Sequence, residues 1–231
     1  MRPAEVERQK RAAAEAAVAE IEDGMMIGLG TGSTIDYAIA ELARRSREGL
    51  RVVAVATSNR TDRAARAAGI TLVAFDRMDR VDLAIDGVDE IDGSFQAIKG
   101  AGGAMLREKI VASAADRMIA IADVSKKVDR LGAAPVPVEV VPFGHGFVLA
   151  ALRTIGAVPR LRGGRNKPYR TDQGNLVIDC AFGRIDDPSN LAATLSSIPG
   201  LLGHGIFREE IDTLFLGVTD GVIRSDRPAR A

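Results

Sequence analysis

The 231-residue sequence predicts an α/β protein in which a doubly wound parallel sheet is accompanied by a second, smaller α/β unit. Three observations support this fold class. Short apolar runs alternate with segments of helical period from residue 25 to residue 122, as expected for strand–helix–strand units in a parallel sheet. Glycine-rich turns lead from an apolar run into two of the helical segments. Glycine and proline then cluster at residues 131–137, where the pattern changes and a domain boundary is expected.

The composition narrows the possible functions. Thirty-one basic residues balance thirty-one acidic residues, so no excess charge indicates binding to nucleic acid or to an anionic membrane. The single cysteine, Cys180, excludes an intrachain disulfide framework, and two histidines are too few for a Cys/His zinc site. The N-terminus lacks the apolar core of a secretory signal, and no run of about 18 apolar residues occurs. We therefore expect a cytoplasmic protein with no metal and no nucleic-acid or membrane partner.

The first predicted elements are a helix, a strand and a second helix. Residues 4–22 are rich in Ala and Glu and have apolar residues at helical spacing, and Asp23-Gly24 ends this helix. Lys10 lies on a different face from the apolar residues. A strand over residues 25–29 is followed by a glycine turn and then by a helix that ends at about Arg47. The chain thus enters the first sheet through a strand, a glycine turn and a helix.

The sequence of this turn, GLGTGST, fits neither of two common nucleotide-binding motifs. A dinucleotide fingerprint needs a third glycine where Ser33 stands, and a P-loop needs a Gly-Lys-Ser/Thr triplet that the chain lacks. What remains is a helix N-terminus with the hydroxyl groups of Thr31, Ser33 and Thr34, which suits a single phosphate. The alternative is that Ser33 or Thr34 only caps the helix.

The alternation continues to a strand that is followed by two lysines. Strands are predicted over residues 52–56, 71–75 and 118–122, and a helix over residues 61–68. Lys126 and Lys127 follow the last of these strands, so either side chain could reach a phosphate at the strand tip. We favour Lys126, although exposed lysines without a ligand are common.

Residues 81–109, VDLAIDGVDEIDGSFQAIKGAGGAMLREK, concentrate the side chains that could carry chemistry. A strand over residues 82–85 is broken after Asp86, so Asp86 and Asp89 follow the carboxyl end of a strand. Open α/β sheets bind their ligands beyond the carboxyl ends of their strands. The two aspartates are therefore candidates for a ligand-facing pair.

The second half of this segment supplies a lysine, a glycine-rich loop and a glutamate. An apolar run over residues 95–98 ends at Lys99, and the loop 100–103 leads into a predicted helix, 104–115, whose second turn carries Glu108. Free backbone N–H groups in such a loop can bind an anion. A carbon acid needs a carboxylate base, a cation or N–H pair for the enolate oxygen, and further carboxylates for hydroxyl protons. The segment contains all of these groups, although each one alone is also a common structural residue.

After residue 137 the predicted elements change to a β-α-β-β-α-β order, which is the ferredoxin-like arrangement. They are strand 138–141, helix 147–155, strand 158–161, strand 176–180, helix 190–197 and strand 201–207. A strand over residues 213–218 is expected to return to the first domain. We therefore expect a first domain of residues 1–130 and 208–231 and a second domain of residues 131–207.

Several other features are interpreted as structural. The basic loop 162–170 is expected to be a solvated hairpin connection, because it has only one aromatic residue. His145 and His204 stand in glycine-rich turns and lie far from the carboxylates in the sequence. Cys180 is interpreted as a buried small hydrophobe. Residues 224–231 are expected to form a frayed tail.

Seven segments together indicate a known family. They are GLGTGST (28–34), AIDGVDEID (84–92), IKGAGGAMLREKI (98–110), IADVSK (121–126), PVPVEV (135–140), GNLVID (174–179) and IPGLLGHGIF (198–207). In order and spacing, over nearly the whole length, they resemble ribose-5-phosphate isomerase of the A type. The chain departs from the usual pattern at Ala101, which stands in a commonly all-glycine triplet, and at residues 163–170, which look locally enlarged.

The resemblance implies a Rossmann-like domain with a smaller α/β domain, generally as a homodimer or homotetramer. It also implies the cofactor-free interconversion of D-ribose 5-phosphate and D-ribulose 5-phosphate in the non-oxidative pentose phosphate pathway. By motif, Glu108 resembles the base that moves a proton between C2 and C1, and Lys99 with the loop amides resembles the support of a cis-enediolate oxygen. Asp86 and Asp89 resemble the pair that opens the sugar ring. The implied substrate contacts are Thr31, Gly32, Ser33, Thr34, Gly87, Val88, Gly100, Ala101, Gly102, Lys126 and Lys10.

Two other functions remain compatible with the sequence. One is a regulatory domain that binds a sugar phosphate without turnover, although the four candidate catalytic side chains are present and no helix-turn-helix segment accompanies them. The other is an isomerase or hydrolase for a different phosphosugar, because the residues that would recognise sugar hydroxyls are dispersed in the sequence.

Overall fold

The computed structural model describes residues 2–228, and these residues divide into two compact units. The first unit comprises residues 2–88, 107–127 and 209–228, and the second comprises residues 89–106 and 128–208. The chain therefore passes from one unit to the other four times. Residues 89–106 group with the second unit, whereas the sequence placed them in the first.

The elements follow one another in the expected α/β alternation. The helices are α1 (Pro3–Val18), α2 (Ser33–Arg47), α3 (Asn59–Ala67), α4 (Met105–Ser113), α5 (His145–Thr154) and α6 (Pro188–Ser196). The strands are β1 (Met26–Leu29), β2 (Val53–Ala56), β3 (Val81–Gly87), β4 (Glu90–Ile91), β5 (Ala97–Ile98), β6 (Ala115–Asp123), β7 (Val136–Val140), β8 (Val158–Leu161), β9 (Leu176–Ala181), β10 (Leu201–His204), β11 (Ile206–Phe207), β12 (Thr213–Val218) and β13 (Gly221–Asp226). Short 3-10 helices occur at Phe75–Arg77, Val124–Lys126 and Pro142–Gly144.

The first unit contains a six-stranded sheet in the order β13-β12-β6-β3-β1-β2. Its strands are parallel except β13, which pairs with β12 in the antiparallel direction. The chain winds outward from β1 to β2 and then returns to place β3 on the other side of β1, so the winding direction switches between β1 and β3. In doubly wound sheets this switch point is where ligands bind. The fold class is therefore the predicted one, and β12 returns to the first sheet as expected.

The core of the first unit follows from apolar side chains at helical spacing. Helix α1 begins at Pro3, whose missing N–H is not needed in a first turn, and its buried face includes Ala13 and Ala17. Helix α2 buries Ile35, Ile39 and Leu42 against the same core, which also contains the buried side chains of β1, β3 and β6. Central strands of a parallel sheet are covered on both faces, which explains their nearly continuous apolar sequences.

Three expectations for the first unit need correction. Helix α1 ends at Val18 rather than at residue 22. The strand predicted at 71–75 is reduced to a single parallel bridge between Ala54 and Leu72, because this segment lies at the sheet edge and exposes most of its side chains. The first three residues of the predicted tail, 224–231, belong to β13, which ends at Asp226. The last three residues of the predicted tail lie outside the described part of the chain.

The second unit contains two small sheets. The four-stranded sheet is antiparallel, with the order β10-β7-β9-β8. If its strands are numbered along the chain, the spatial order is fourth, first, third, second, and α5 and α6 connect them in the predicted ferredoxin-like way. A three-stranded antiparallel sheet, β11-β5-β4, adds the short strands that flank the candidate catalytic loop.

The strand predicted over residues 201–207 is divided between these two sheets. Strand β10 ends at His204 and β11 begins at Ile206, so Gly205 is the residue at which the chain changes sheets. A Cβ atom at Gly205 would lie 2.1 Å from the carbonyl oxygen of Lys99. Only glycine allows this close approach, and the approach fixes the backbone at the end of β5. Within residues 2–228, no helix is long and apolar enough to span a membrane.

Candidate active site

Asp86 is held at the switch point of the first unit by backbone donors. It ends the buried part of β3, is 3% exposed, and its Oδ1 accepts the N–H groups of Gly87 at 2.7 Å and Thr31 at 3.1 Å. A Cβ atom at Gly30 would lie 1.9 Å from the same Oδ1. The neighbouring strands β1 and β3 therefore bring the glycine turn against Asp86, and glycine at position 30 is required for this contact.

The glycine turn is joined to Lys10 of α1. Gly32 has a φ of +142° and precedes the first residue of α2, Ser33. The Nζ atom of Lys10 donates to Ser33 Oγ at 3.1 Å and forms an ion pair with Glu7 at 2.8 Å. The hydrogen bond from Lys10, with a second from Tyr37, lowers the pKa of the Glu7 carboxyl. The structure thus brings two predicted substrate contacts, Lys10 and Ser33, together at a helix N-terminus.

Thr31 has a different environment from its two neighbours in the motif. Its hydroxyl lies within hydrogen-bonding distance of the hydroxyls of Thr57, Ser58 and Thr61, at 2.8 to 3.1 Å. The half-buried side chain therefore ties the glycine turn to the start of α3, and its role as a substrate contact stays a prediction. The Thr34 hydroxyl, by contrast, has no hydrogen-bond partner among residues 2–228.

Lys126 lies at the tip of the neighbouring strand β6, in the 3-10 turn Val124–Lys126. Among the described residues, its half-buried side chain has no hydrogen-bond or ion-pair partner. Gln9, which the sequence analysis did not identify, is fully buried and its Oε1 accepts the N–H of Val124 at 3.3 Å. The sequence does contain a signal for this residue, because Gln9 lies four positions before Ala13 and therefore on the buried face of α1. Gln9 therefore helps to fix the turn that carries Lys126.

Glu108 is buried in α4 and is 3% exposed. It is the fourth residue of the helix, where the helix dipole favours a carboxylate. A Cβ atom at Gly28 would lie 2.5 Å from Cγ1 of Val111, so α4 packs directly on the backbone of β1. The position of Glu108 relative to the first sheet is therefore set by a helix in close contact with the sheet.

In the second unit, Lys99 is the buried cation. It follows β5, is 2% exposed, and its Nζ lies 5.3 Å from the ring centroid of Phe207. Its backbone N–H donates to the carbonyl oxygen of Gly205 at 2.8 Å. Burying an ammonium group is costly, and lysine is one of the residues least often found in this position. Lys99 is therefore not a solvated lysine at a strand end, and its burial favours a functional role.

Asp89 and the loop 100–103 are bonded to each other in the same unit. Asp89 Oδ2 accepts the N–H of Ala101 at 2.9 Å, and its own N–H donates to Ile98 at 2.8 Å. Gly100 has a φ of +104°, and a Cβ there would lie 2.8 Å from atoms of both Met105 and Pro137. The boundary between the units falls between Val88 and Asp89, so the two candidate aspartates belong to different units although they are three residues apart.

The segment 162–170 is the largely exposed hairpin connection between β8 and β9 that the sequence predicted, but two of its side chains also contact the glycine loop. Arg162 is largely buried, pairs with Asp179 of β9, and donates to the carbonyl oxygens of Gly100 and Ala101. Tyr169 donates to the carbonyl oxygen of Gly102 at 3.2 Å. Both residues contact the glycine loop from more than 60 positions away in the sequence, so no local pattern could indicate these bonds.

The two histidines and the cysteine have structural partners. His145 Nδ1 lies 2.9 Å from the carbonyl oxygen of Pro142, and His204 lies within hydrogen-bonding distance of Ser196 and Ile206. Cys180 is fully buried in β9, and burial raises the pKa of its thiol to about 12. A thiol with this pKa stays protonated at neutral pH and is a poor nucleophile. Across residues 2–228, no group of three or more His, Cys, Asp or Glu side chains could hold a metal ion.

Comparisons with known proteins agree on one family. A family model described as ribose 5-phosphate isomerase A (phosphoriboisomerase A) matches residues 53–221. The ribose-5-phosphate isomerase A of Sphingopyxis alaskensis is 51% identical over 214 residues, which is 93% of this chain and 94% of that protein. The corresponding protein of Roseiflexus castenholzii is 47% identical, with 95% of each chain covered.

Solved structures of the same enzyme superimpose closely on the chain. A D-ribose-5-phosphate isomerase in complex with phospho-erythronic acid gives a TM-score of 0.92 at 39% identity, covering 96% of this chain and 99% of that chain. Ribose 5-phosphate isomerase A of Methanocaldococcus jannaschii gives a TM-score of 0.89 at 39% identity, covering 94% and 98%. The fold, the motif residues and these similarities agree, and the chain belongs to the ribose 5-phosphate isomerase A family.

Proposed function

We propose that the chain interconverts D-ribose 5-phosphate and D-ribulose 5-phosphate through a cis-enediolate, without a cofactor. The reacting groups are Glu108, Lys99, Asp86 and Asp89. The single observation that carries this proposal, beyond family membership, is that the first three of these ionisable side chains are each at most 3% exposed. Buried ionisable groups are costly to stability, and they cluster at functional sites.

Phosphate binding is assigned to the first unit. The N-terminus of α2, with Ser33 and Thr34, supplies N–H and hydroxyl donors, and Lys10 supplies positive charge beside Ser33. Lys126 supplies a second cation at the tip of β6. A phosphate monoester carries close to two negative charges at neutral pH, so two lysines can neutralise it. Gly32, Gly87 and Val88 contribute backbone at the same strand tips.

Proton transfer between the carbons is assigned to Glu108. Its carboxylate takes the proton from C2 of the open-chain aldose, and the electron pair left behind forms the C1–C2 double bond. Charge then moves to the oxygen on C1, where Lys99 and the N–H groups of the loop that contains Gly100, Ala101 and Gly102 stabilise it. Return of the proton to C1, with loss of the O2 proton and protonation of O1, gives the ketose.

The hydroxyl protons and ring opening are assigned to Asp86 and Asp89. General base catalysis contributes about 10²- to 10⁴-fold, so Glu108 cannot supply the whole rate of a fast isomerase. Stabilisation of the enediolate oxygen and orientation by the phosphate must contribute the rest. The related isomerase bound to phospho-erythronic acid supports this division, because that ligand combines a phosphate with a carboxylate whose charge resembles that of the enediolate.

We also propose that the chain works in the cytoplasm, in the non-oxidative pentose phosphate pathway, as a homodimer or homotetramer. Assembly is supported by exposed apolar side chains of the second unit, chiefly Phe143, Phe147 and Val158. Exposed apolar patches favour protein–protein contact, and a second copy of the chain is the partner that we assign. Light scattering of the purified protein would contradict the assembly if it gave the mass of one 24.4 kDa chain.

The experiment that tests the reaction uses purified, chelator-treated protein with ribose 5-phosphate in D₂O, followed by NMR. We expect fast formation of ribulose 5-phosphate with deuterium at the exchanging carbon. Conversion without deuterium would require a shielded proton or a hydride shift and would contradict an exchangeable base. Binding without conversion would favour a regulatory domain, and conversion of another phosphosugar alone would change the substrate.

The base assignment is tested by Glu108→Gln in the same assay. We expect turnover to fall by about 10²- to 10⁴-fold, because the amide cannot accept the C2 proton. Binding of inorganic phosphate should change little, since Glu108 does not belong to the phosphate turn. Near-normal turnover in this variant would refute the assignment of Glu108 as base.

A further inference from the structure

Three successive carbonyl oxygens of the glycine loop accept hydrogen bonds from side chains of one segment. Arg162 Nη1 donates to the oxygen of Gly100 at 3.2 Å and to that of Ala101 at 3.0 Å. The Tyr169 hydroxyl donates to the oxygen of Gly102 at 3.2 Å. A free loop would direct these carbonyl groups to water in many orientations, whereas here all three are held from the same segment.

Fixing the carbonyl groups also fixes the direction of the N–H groups. In a trans peptide the C=O of one residue and the N–H of the next point in opposite directions. The N–H of Ala101 accordingly points away from Arg162 and donates to Asp89 at 2.9 Å. The N–H of Gly103 closes a turn on the Gly100 oxygen at 2.9 Å. The N–H groups of Gly100 and Gly102 have no acceptor within the described residues. Of these two, only the Gly102 N–H shares its peptide with a carbonyl group that Arg162 holds, so it is the ligand donor that Arg162 directs.

Arg162 is itself held in one orientation. Its Nε donates to Asp179 Oδ2 at 3.0 Å, and a second, shorter hydrogen bond joins Nη2 to the other carboxylate oxygen. The two side chains are 18% and 10% exposed, and the guanidinium also lies over the Tyr169 ring, 5.6 Å from its centroid. A bidentate pair of this kind fixes the plane of the guanidinium. Arginine has five N–H donors, enough for two bonds to the carboxylate and one to each of two carbonyl oxygens, whereas lysine has three.

The enlarged segment after Arg162 explains how Tyr169 reaches the loop. Gly163 has a φ of +77°, and a Cβ there would lie 2.5 Å from the carbonyl oxygen of Lys167. The chain turns back tightly at this point, and the N–H of Tyr169 donates to the carbonyl oxygen of Arg162 at 2.8 Å. The added residues therefore return Tyr169 to the side of Arg162, where both can act on the same loop.

We propose that Arg162, oriented by Asp179, is a positioning residue that together with Tyr169 sets the direction of the loop amides for catalysis. Arg162 binds the carbonyl oxygen of the peptide between Gly100 and Ala101. The N–H on the opposite side of this peptide, that of Ala101, donates to Asp89 and orients its carboxylate. Through the next peptide Arg162 directs the Gly102 N–H, which stabilises the enediolate oxygen. This inference rests on the proposed function, because the enediolate oxygen is the negative charge that the Gly102 N–H stabilises.

The test compares Arg162→Lys and Tyr169→Phe with Arg130→Lys. Lysine at 162 keeps the charge beside Asp179 but cannot hold both carboxylate oxygens and two carbonyl oxygens in one plane. Phenylalanine at 169 removes only the hydroxyl. Arg130 is the matched control, because it pairs with Asp186 at 2.9 Å on the surface of the same unit. Two readouts are used: kcat and KM for ribose 5-phosphate, and the amide resonances and hydrogen exchange of Ala101 and Gly102 by NMR.

We expect Arg162→Lys to lower kcat by roughly 10²-fold, since a small misplacement of a catalytic donor costs about that much. KM should stay within about twofold, because the phosphate contacts are unchanged. Tyr169→Phe should lower kcat by about fivefold, as for one neutral hydrogen bond. Both variants should shift the two amide resonances and speed exchange at Ala101, and Arg130→Lys should change neither readout.

The outcomes separate this inference from the proposed function. Normal kcat in both variants would overturn the inference, and so would a change in melting temperature with no shift of the two amides. If the unaltered protein does not convert ribose 5-phosphate, the proposed function fails and the catalytic part of the inference fails with it. In that case the amide measurements still test whether Arg162 positions the loop. Unshifted Ala101 and Gly102 amide resonances in Arg162→Lys would overturn this part of the inference as well.

Discussion

The turn at residues 30–34 and the loop at residues 100–103 are both glycine-rich and both precede a helix, yet they are held in different ways. The first is fixed within its own neighbourhood, by Asp86 at the next strand tip and by hydroxyls at the start of α3. The second is fixed by Arg162 and Tyr169, which come from a distant hairpin. In the proposed reaction the first turn binds the phosphate and the second loop stabilises the enediolate oxygen.

This difference has a kinetic meaning. The phosphate proposed to bind at the first turn has the same charge in substrate, transition state and product. The oxyanion proposed to bind at the second loop develops only during the reaction. Binding that is equal in all states lowers KM, whereas binding that appears only in the transition state raises kcat. Loss of phosphate-binding hydroxyls from the first turn should therefore raise KM, and displacement of the amides of the second loop should lower kcat.

The largest effect is expected from alanine at the two glycines with the closest contacts. Gly30→Ala places a Cβ 1.9 Å from Asp86 Oδ1, and Gly100→Ala places one 2.8 Å from Met105 and Pro137 at a positive φ. Each should destabilise the fold by about 1–3 kcal/mol. Gly30→Ala should abolish activity because it displaces a candidate catalytic carboxylate, and Gly100→Ala should lower kcat.

The control for this pair is Gly93→Ala, whose Cβ would meet nothing within 4 Å. Its melting temperature and activity should match those of the unaltered protein, as measured by thermal unfolding and by the isomerase assay. If Gly30→Ala raised only KM, the catalytic role proposed for Asp86 would have to be abandoned. If Gly93→Ala were as damaging as the other two, the effects could not be attributed to the close contacts at Gly30 and Gly100.

A smaller effect is expected from Ser33→Ala combined with Thr34→Ala. The change removes two hydroxyls at the N-terminus of α2, one of which accepts from Lys10 at 3.1 Å. At about 0.5–1.5 kcal/mol for each hydrogen bond, phosphate binding should weaken by roughly tenfold, with KM raised and kcat little changed. Calorimetry with inorganic phosphate and steady-state kinetics measure the two quantities.

Thr154→Ala serves as the control for this variant, since its exposed hydroxyl bonds only its own helix. Phosphate and substrate that bind to the Ser33/Thr34 variant as tightly as before would show that the first turn caps α2 and does nothing more.

The smallest effect concerns pH and the hydroxyl of Tyr169. Burial raises the pKa of this phenol, so the neutral hydroxyl contributes stability that is fully present below the unfolded pKa of about 10. That contribution is lost as the pH rises through the folded pKa. Hydrogen-exchange protection of residues 100–106 should therefore decline above about pH 10, while Tyr169→Phe should show a lower and flatter profile.

Tyr37→Phe is the matched variant for the pH experiment. Its hydroxyl donates to Glu7 in the first unit, and its pKa is also raised. This change should leave the alkaline decline of the loop 100–106 as it is in the unaltered protein. Equal effects of Tyr37→Phe and Tyr169→Phe on the loop would mean that the decline is global and does not originate at Tyr169.

The features that could be predicted from the sequence are those with local signals. Strand–turn–helix alternation gave the doubly wound sheet, and parallel strands end at one edge of a sheet, which brings Asp86 beside the turn at Gly30. The ferredoxin-like order of the second unit followed from element order alone. These inferences need only periodicity, turn residues and the known geometry of sheets.

The features that escaped prediction depend on packing between distant residues. Arg162 looked like a loop cation because nothing adjacent marks Asp179 or the Gly100 carbonyl as its partners. The hydrogen bonds between the hydroxyl of Thr31 and those of Thr57, Ser58 and Thr61 were not predicted either, because these residues follow a different strand. The segment 71–75 has the apolar content of a strand, yet its place at the sheet edge leaves it with one bridge.

The four passages of the chain between the units have a consequence for biosynthesis. Every residue of the second unit has been translated once residue 208 leaves the ribosome. The six-stranded sheet of the first unit still lacks β12 and β13 at that point, and β12 pairs directly with β6. Although the chain begins in the first unit, the nascent protein can complete the second unit earlier, and the N-terminal helices must wait for the last strands to arrive. A gene truncated near its 3′ end would therefore yield a finished second unit attached to an unfinished first one.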